Sequence, residues 1–527
     1  MAHRSFHRRV SLGRLFYAAY WVWRNNAASI LPTMLQNVIT FVLQIPIFVG
    51  LGIFLIYLLR LGVLKDIASL LREGDFIQFG RMLVSPPLFG ALITALVVLL
   101  PILLVISVVG YGFTNSAEYR SYHQLLREGH LTLRDVLLHA TTRWKQMAWT
   151  VLASGLVTFT PMLLASLYLI FRLLPSIGAL ALKPSELLSL LPIFLAGFIG
   201  TGVLYLLTMY SVTAAAVDEV YGFRAVIKSI KAFKRTSGAS VGYIILVVGV
   251  FSLIGLIASV SDMLGLAISS LLTVGITFSF APILNIVKTE IYLSSREEGF
   301  GIRYYAGLSV IQDLRQHVAM NFWNKFKTGV LELKKFAFSF NLLPYHMVII
   351  AVFICGVLLG DALSSIGFSD LLKGLGIGEG RINPELQRLF PPSLGVDLFF
   401  HNWFVSLSTG LSGLAFGVPT VIMTAINGVI LGLLVRVVPS IEMFYAAILP
   451  HGVIEIPSFI LAGSSGLRLG ISLIKALAKG EGISDPEFQE TFRSTLYILI
   501  GLSPLYLIGG LIESVATPSI MKMNGWR

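Results

Sequence analysis

Cysteine is almost absent. Cys355 stands alone in 527 residues, so no internal disulfide and no cysteine-based metal site can form. Charge is scarce too: Asp, Glu, Lys and Arg make up 13 % of the chain against 56 % apolar residues, and the mean hydropathy is +0.83. A soluble domain carries about twice that share of charge, because its surface has to be covered. No P-loop occurs, which excludes nucleotide hydrolysis by that mechanism, and H-E-x-x-H is missing, which removes the commonest zinc-hydrolase pattern. No basic stretch with interleaved aromatics points to nucleic acid. The basic N-terminus lacks an A-x-A cleavage pattern, and the first apolar run is far longer than a signal-peptide core, so it is expected to stay as an anchor.

What the chain has in abundance is apolar runs of about 20 residues, enough to cross hydrocarbon. About eleven are expected, at 30–58, 88–110, 147–171, 191–217, 241–260, 263–291, 342–362, 398–416, 418–438, 449–470 and 495–516. In lipid only helices or closed barrels satisfy the backbone, and unbroken apolar runs exclude the alternation of barrel strands. The expected fold is therefore all-α: a polytopic transmembrane bundle in the cell membrane, in two halves of six and five spans. Twenty-five of the 39 basic residues fall on the side that also holds the N-terminus. That bias predicts the N-terminus inside and the C-terminus outside. The net charge of +12 reads as contact with the anionic inner leaflet.

Three regions follow: 1–291, 292–341 and 342–527. In the first, basic aromatic stretches precede spans one, three and five: LGRLFYAAYWVWRNN from Leu12, LRDVLLHATTRWKQM from Leu133 and FRAVIKSIKAFKRTS from Phe223. Either each is an ordinary helix end at headgroup level, or the three are copies of one unit, an interfacial helix followed by a two-span hairpin. This half resembles six-span membrane domains of uncharacterised archaeal and bacterial proteins in pattern only. The basic stretch 292–341 reads as one or two amphipathic helices, lying on the inner leaflet or packing against the last region. In 342–527 glycines recur four apart: Gly413 and Gly417, Gly428 and Gly432, Gly466 and Gly470. Such pairs let helix backbones approach closely in lipid.

Polar residues in the last five spans are the candidate site. His451 and Glu455 are four apart in ILPHGVIEIPSFILAG, residues 448–463, and share a helical face. Pro450 fits a helix start and Pro457 a kink; together they permit a helix broken within the membrane. His401, Asn402, Asn427, Arg468 and Glu513 lie in or beside the neighbouring spans. Isolated polar atoms are costly in hydrocarbon, so these groups are expected to face one another or a water-filled cavity. They then bind an ion, proton or headgroup, or they form a network that fixes helix register. Glu455 and Arg468, thirteen residues apart, are too distant along a continuous helix to pair. His451 and Glu455 offer two metal ligands at most, so no metal and no cofactor are expected. The G-x-S-G match at Gly410–Gly413, with His451 in a later span, raises an intramembrane serine hydrolase, but glycine-rich spans produce such matches by chance.

HNWFVSLSTGLSGLAFG, AINGVILG, ILPHGVIEIPSFILAGSSGLRLG and an acidic residue in the last span followed by proline resemble the stage II sporulation protein M family over about 342–520. The resemblance falls on Asn402, Asn427 and Gly428, on Pro450-His451-Gly452 with Glu455, on Gly466 and Gly470, and on Glu513 with Pro518. It implies a non-enzymatic membrane scaffold or subunit of an envelope complex with protein partners. The alternative is a permease for a small ion, proton or lipid headgroup, with His451 and Glu455 as the exchanging groups. The added six-span half departs from the family pattern.

Overall fold

The computed structural model describes residues 11–61, 85–178, 184–264, 266–296, 319–365, 391–438 and 440–523, with scattered positions between 62 and 85. Every regular element among them is helical. In chain order the helices are α1 (Leu12–Asn25), α2 (Leu31–Arg60), α3 (Pro86–Glu128), α4 (Leu133–Thr141), α5 (Trp144–Gly178), α6 (Pro184–Thr208), α7 (Ser211–Asp218), α8 (Phe223–Met263), α9 (Ser269–Gly275) and α10 (Ala281–Ser294). They are followed by α11 (Ala319–Phe338), α12 (Leu343–Leu363), α13 (Pro391–Leu411), α14 (Val418–Leu434), α15 (Ile441–Ala478), α16 (Pro486–Gly501), α17 (Ser503–Leu511) and α18 (Thr517–Met523).

Nine helical segments among the described residues are long and apolar enough to cross a membrane. They correspond to nine of the expected spans. The two others differ. Val418–Leu434 is a shorter apolar helix. The run at 398–416 is α-helical only to Leu411, within α13, whose apolar character Asp397, His401 and Asn402 interrupt, and continues as a 3-10 turn over Ser412–Leu414. Side chains on the spans are turned inside out relative to a soluble protein. Leu96, Val97, Leu100 and Val105 expose more than half their surface, while Ser and Thr hydroxyls are buried. Lipid is as apolar as leucine, so small residues and polar contacts hold the interior instead.

The chain forms two compact units. One comprises residues 1–39, 81–252 and 277–306; the other comprises 40–80, 253–276 and 307–527. In the first, α3 packs on α5, α5 on α6, and α1 on α10. The three basic aromatic stretches are helical, and each meets a backbone break before its span: extended at Asn26, left-handed at Arg143 and non-helical at Thr236. A capping box between Thr132 and Asp135 starts α4, satisfying two orphan amides at once.

In the second unit α12 lies along α14, α13 along α17, and α15 touches most of its neighbours. The α12–α14 contact is made by backbone. A methyl group on Gly428 would strike the Phe353 carbonyl, and one on Gly432 the Val357 carbonyl. Gly356 and Gly360, outside the expected set, form the other side against Ala425 and Val429. Gly413 meets Gly466 and Gly417 meets Gly470 where α13 turns into α14 over α15. Within the basic stretch 292–341, residues 297–318 lie outside the described residues; α11 packs on α16 through Gly329 and Gly501. The Gly/Pro-rich stretch 364–397, expected as an external loop, lies outside the described residues over 366–390. Between α15 and α16, Asp485 accepts from the Phe488 amide at 2.9 Å and from Lys479 at 3.0 Å. These bonds hold its carboxyl below the usual carboxylate range.

Pro450 does not begin a helix. α15 is continuous for 38 residues through Pro450 and Pro457, capped at its start by Ser440, whose hydroxyl accepts from the Met443 amide. A helix that long reaches about 57 Å, and neighbouring helices support the carbonyls that proline leaves without a partner.

Gly432→Ala is expected to destabilise the protein by about 1–3 kcal/mol through overpacking. Gly249→Ala, where nothing lies within 4 Å, is expected to be neutral or stabilising by up to about 1 kcal/mol. Thermal melts in detergent compare the two; equal shifts would contradict backbone contact at α12–α14.

Candidate functional site

The site is built on α15. His451 and Glu455, one turn apart, both line a cavity of about 220 Å³, with Asn402 and Ser406 from α13, Asn427 from α14 and Tyr506 from α17. The amide Nδ2 of Asn402 donates to Oε2 of Glu455 at 3.0 Å. Oε1 of Glu455 is buried without a hydrogen-bond partner among the described residues. Gly509 lies against this carboxylate: a Cβ there would sit 2.6 Å from Oε1. The missing side chain is what lets α17 come so near the acid.

Glu513 reaches the same place from the C-terminal side. Residues Ile512–Ala516 form a π-helical turn, and one ligand-capable atom each from His451, Glu455 and Glu513 lies within 4.8 Å of the others. The sequence offered two such groups on one face; the fold adds the third. Such π-turns occur disproportionately at functional sites. Nδ1 of His451 is 3.3 Å from the Thr517 hydroxyl. Ser406 and Tyr506 hydroxyls are hydrogen-bonded to each other in the wall. Three ionisable groups, two amides and two hydroxyls thus meet inside one apolar bundle, an arrangement suited to holding a small cation, a proton or ordered water.

Asn402, Asn427, His451 and Glu455 line one cavity and Glu513 lies beside His451 and Glu455, although Asn427 turns its Nδ2 to the Met423 carbonyl at 2.9 Å. Two expected members do not join them. Arg468 lies three to four turns along α15, about 20 Å from Glu455 on a continuous helix; its guanidinium sits 6.0 Å from the Phe336 ring centre. His401, next to Asn402, is exposed. Ser412 of the G-x-S-G match is fully buried and donates to the Thr409 carbonyl at 2.7 Å, with the Thr420 hydroxyl at 2.9 Å. It is thus engaged with α13 and α14, while His451 bonds at Thr517.

The sequence reading passed over a second polar cluster, in the first unit. Asn285 Nδ2 donates to Glu118 at 2.7 Å, and Lys288 donates to the Tyr119 hydroxyl at 3.0 Å. Arg120 and Arg143 both approach Glu219. Glu290 is buried, with neither carboxylate oxygen hydrogen-bonded among the described residues. A signal was available: each hairpin ends in an acid followed by a tyrosine, at Glu118-Tyr119, Glu219-Val220-Tyr221 and Glu290-Ile291-Tyr292.

Residues 346–518 match the family model described as Stage II sporulation protein M. Over 121 residues the chain is 27 % identical to an uncharacterized protein of Methanocaldococcus jannaschii; the match covers 23 % of this chain and 56 % of that protein. The chain thus spans little more than half the length of that relative. No solved structure matches it. The chain is an integral membrane protein whose residues 346–518 are similar to the stage II sporulation protein M family.

A double-mutant cycle tests the heart of the site. Asn402→Ala and Glu455→Ala are expected to couple by about 0.5–2 kcal/mol in detergent unfolding, as interhelical hydrogen bonds do in membranes. Strict additivity would contradict the Asn402–Glu455 bond.

Proposed function

We propose that this protein is a non-enzymatic scaffold of the cell membrane, a subunit of an envelope complex whose C-terminal bundle holds protein partners. The observation that supports this reading most is the glycine-to-backbone contact along α12–α14 and at Gly413–Gly466 and Gly417–Gly470. Helices locked at backbone distance resist the rocking that alternating access requires. A fixed body with a broad apolar perimeter suits a docking platform. In this reading the polar cluster around Glu455 fixes the rotation of α13, α15 and α17 about one another. The N-terminus is inside, the C-terminus outside, and basic helix ends rest on anionic headgroups.

A second reading, a permease for a small cation or proton, is favoured by one specific observation. His451, Glu455 and Glu513 converge beside a cavity of about 220 Å³, and intramembrane ionisable groups commonly mark ion paths.

Glu455→Gln separates the two, because it keeps the shape and removes the charge. On the scaffold reading, the variant cross-links in intact membranes to the same partners as the wild type, at the same stoichiometry, and reconstituted wild-type protein carries no cation or proton flux. Flux through the wild type that is lost in Glu455→Gln, with partner capture unchanged, would replace the scaffold reading with the permease.

A further inference from the structure

A second cavity, of about 350 Å³, opens in the first unit where three helix ends meet. Asp218 ends α7; Lys228, Lys231 and Arg235 lie along the first turns of α8; Tyr292 closes α10 and Arg296 follows it. Among the described residues, four cations therefore surround one carboxylate. That carboxylate is nearly fully buried, with its side chain 3 % exposed. Its Oδ2 accepts from Lys228 at 2.9 Å and from the Tyr292 hydroxyl, and its Oδ1 lies 3.3 Å from Arg296. Arg235 is oriented by a bond of 3.2 Å to the Ser295 carbonyl. Asp218 acts as a hub that aims Lys228 and Arg296 but neutralises only one positive charge, so that even with Arg235 set aside as engaged elsewhere, Lys228, Lys231 and Arg296 leave two in excess among the described residues.

Such an excess in a concavity is costly unless an anion shares it. The position says which kind. The apolar span Leu190–Asp218 ends at the hub, the span Ser237–Ser261 starts two residues beyond Arg235, and the span Ser269–Ser294 ends two residues before Arg296. All three helices thus leave the apolar layer at this cavity, which places it at headgroup depth. Arginine forks, lysine ammonium groups and a tyrosine hydroxyl together suit the oxygens of a phosphate.

We propose that this pocket binds the phosphate of an anionic phospholipid headgroup. The inference rests on the first unit lying in a membrane. It does not depend on whether the C-terminal bundle is a scaffold or a permease. A ligand here ties α7, α8 and α10 together at the membrane surface and adds to the hub what Asp218 cannot supply.

The full chain, purified and delipidated in a neutral detergent, is titrated with short-chain phosphatidylglycerol, phosphatidylcholine or inorganic phosphate and followed by native mass spectrometry and thermal shift. Phosphatidylglycerol is expected to bind and to raise the melting temperature, and phosphatidylcholine to do neither. Lys231→Gln with Arg235→Gln is expected to weaken phosphatidylglycerol binding about five-fold for each charge removed. Lys325→Gln with Lys327→Gln, on α11, is the control and is expected to leave binding unchanged. Competition on the wild-type chain provides a reading independent of variant folding: inorganic phosphate at high concentration should displace the lipid. Inorganic phosphate that binds as tightly as phosphatidylglycerol would make this a soluble-phosphate site and overturn the lipid assignment. Equal binding of phosphatidylcholine, failure of phosphate to compete, or folded pocket variants that bind like the wild type would overturn the pocket itself.

Discussion

A carboxylate or amide inside a membrane has no water to turn to, and the second unit is arranged around that fact. Glu455 sits mid-way along a continuous helix whose outer face is apolar. The acid is tolerable only if other helices bring polar atoms to it. α13 brings Asn402, α17 gives up a side chain at Gly509 and contributes Tyr506, and the π-turn that follows brings Glu513. These demands set the rotation of each helix about its own axis. The glycines do the complementary work. They set how near the axes come, because a Cβ at Gly428 or Gly432 would meet a carbonyl of the opposite helix. Rotation fixed by polar groups and distance fixed by small ones leave the bundle little freedom.

Much of this was legible before any coordinates. Apolar runs of sufficient length mark the helices, and the i, i+4 spacing of His451 and Glu455 marks a polar face. The four-residue glycine spacing marks the close crossings; Gly356 and Gly360 have the same spacing beside Cys355 but stand outside the pairs singled out. What sequence could not supply was azimuth. Arg468 is on the same helix as Glu455, yet it meets the Phe336 ring, because α11 folds back along that end of the second unit. Asp397 looks like a lone acid in a span. In fact it accepts from the Ser270 amide at 2.6 Å and so caps α9, a contact across more than a hundred residues. The prolines misled for a related reason. Pro450 lacks only one amide hydrogen, and a helix held by neighbours on several sides passes through it.

The first unit follows the same rule with a different balance of charge. Its acids lie near the ends of hairpins rather than mid-span, and three of them are met by a base, an amide or a hydroxyl from another helix, while Glu290 is buried with no hydrogen bond among the described residues. Glu118 has Asn285, Glu219 has Arg120 and Arg143, and Asp218 has Lys228, Arg296 and Tyr292. Around Asp218 cations exceed the acid among the described residues, and the proposed headgroup phosphate would balance them. Around the cavity of the second unit Glu455 and Glu513 lie together and no lysine or arginine lines it among the described residues, so a proton, a cation or water must balance them instead. The two units thus solve the same desolvation problem with opposite surpluses.

If the polar groups of the second unit share a pocket among apolar helices, that pocket is open to water while the outer helix faces are not. Site-directed thiol labelling tests it most directly. In a Cys355→Ser background, Asn427→Cys places a thiol in the cavity wall, and Val453→Cys places one on the exposed outer face of α15. A small charged methanethiosulfonate reacts only with thiols that water can reach. In membranes, labelling at position 427 with none at 453 is expected. Labelling at 453 with none at 427 would mean that the glutamate's surroundings are dry and the outer face wet, and would contradict the account.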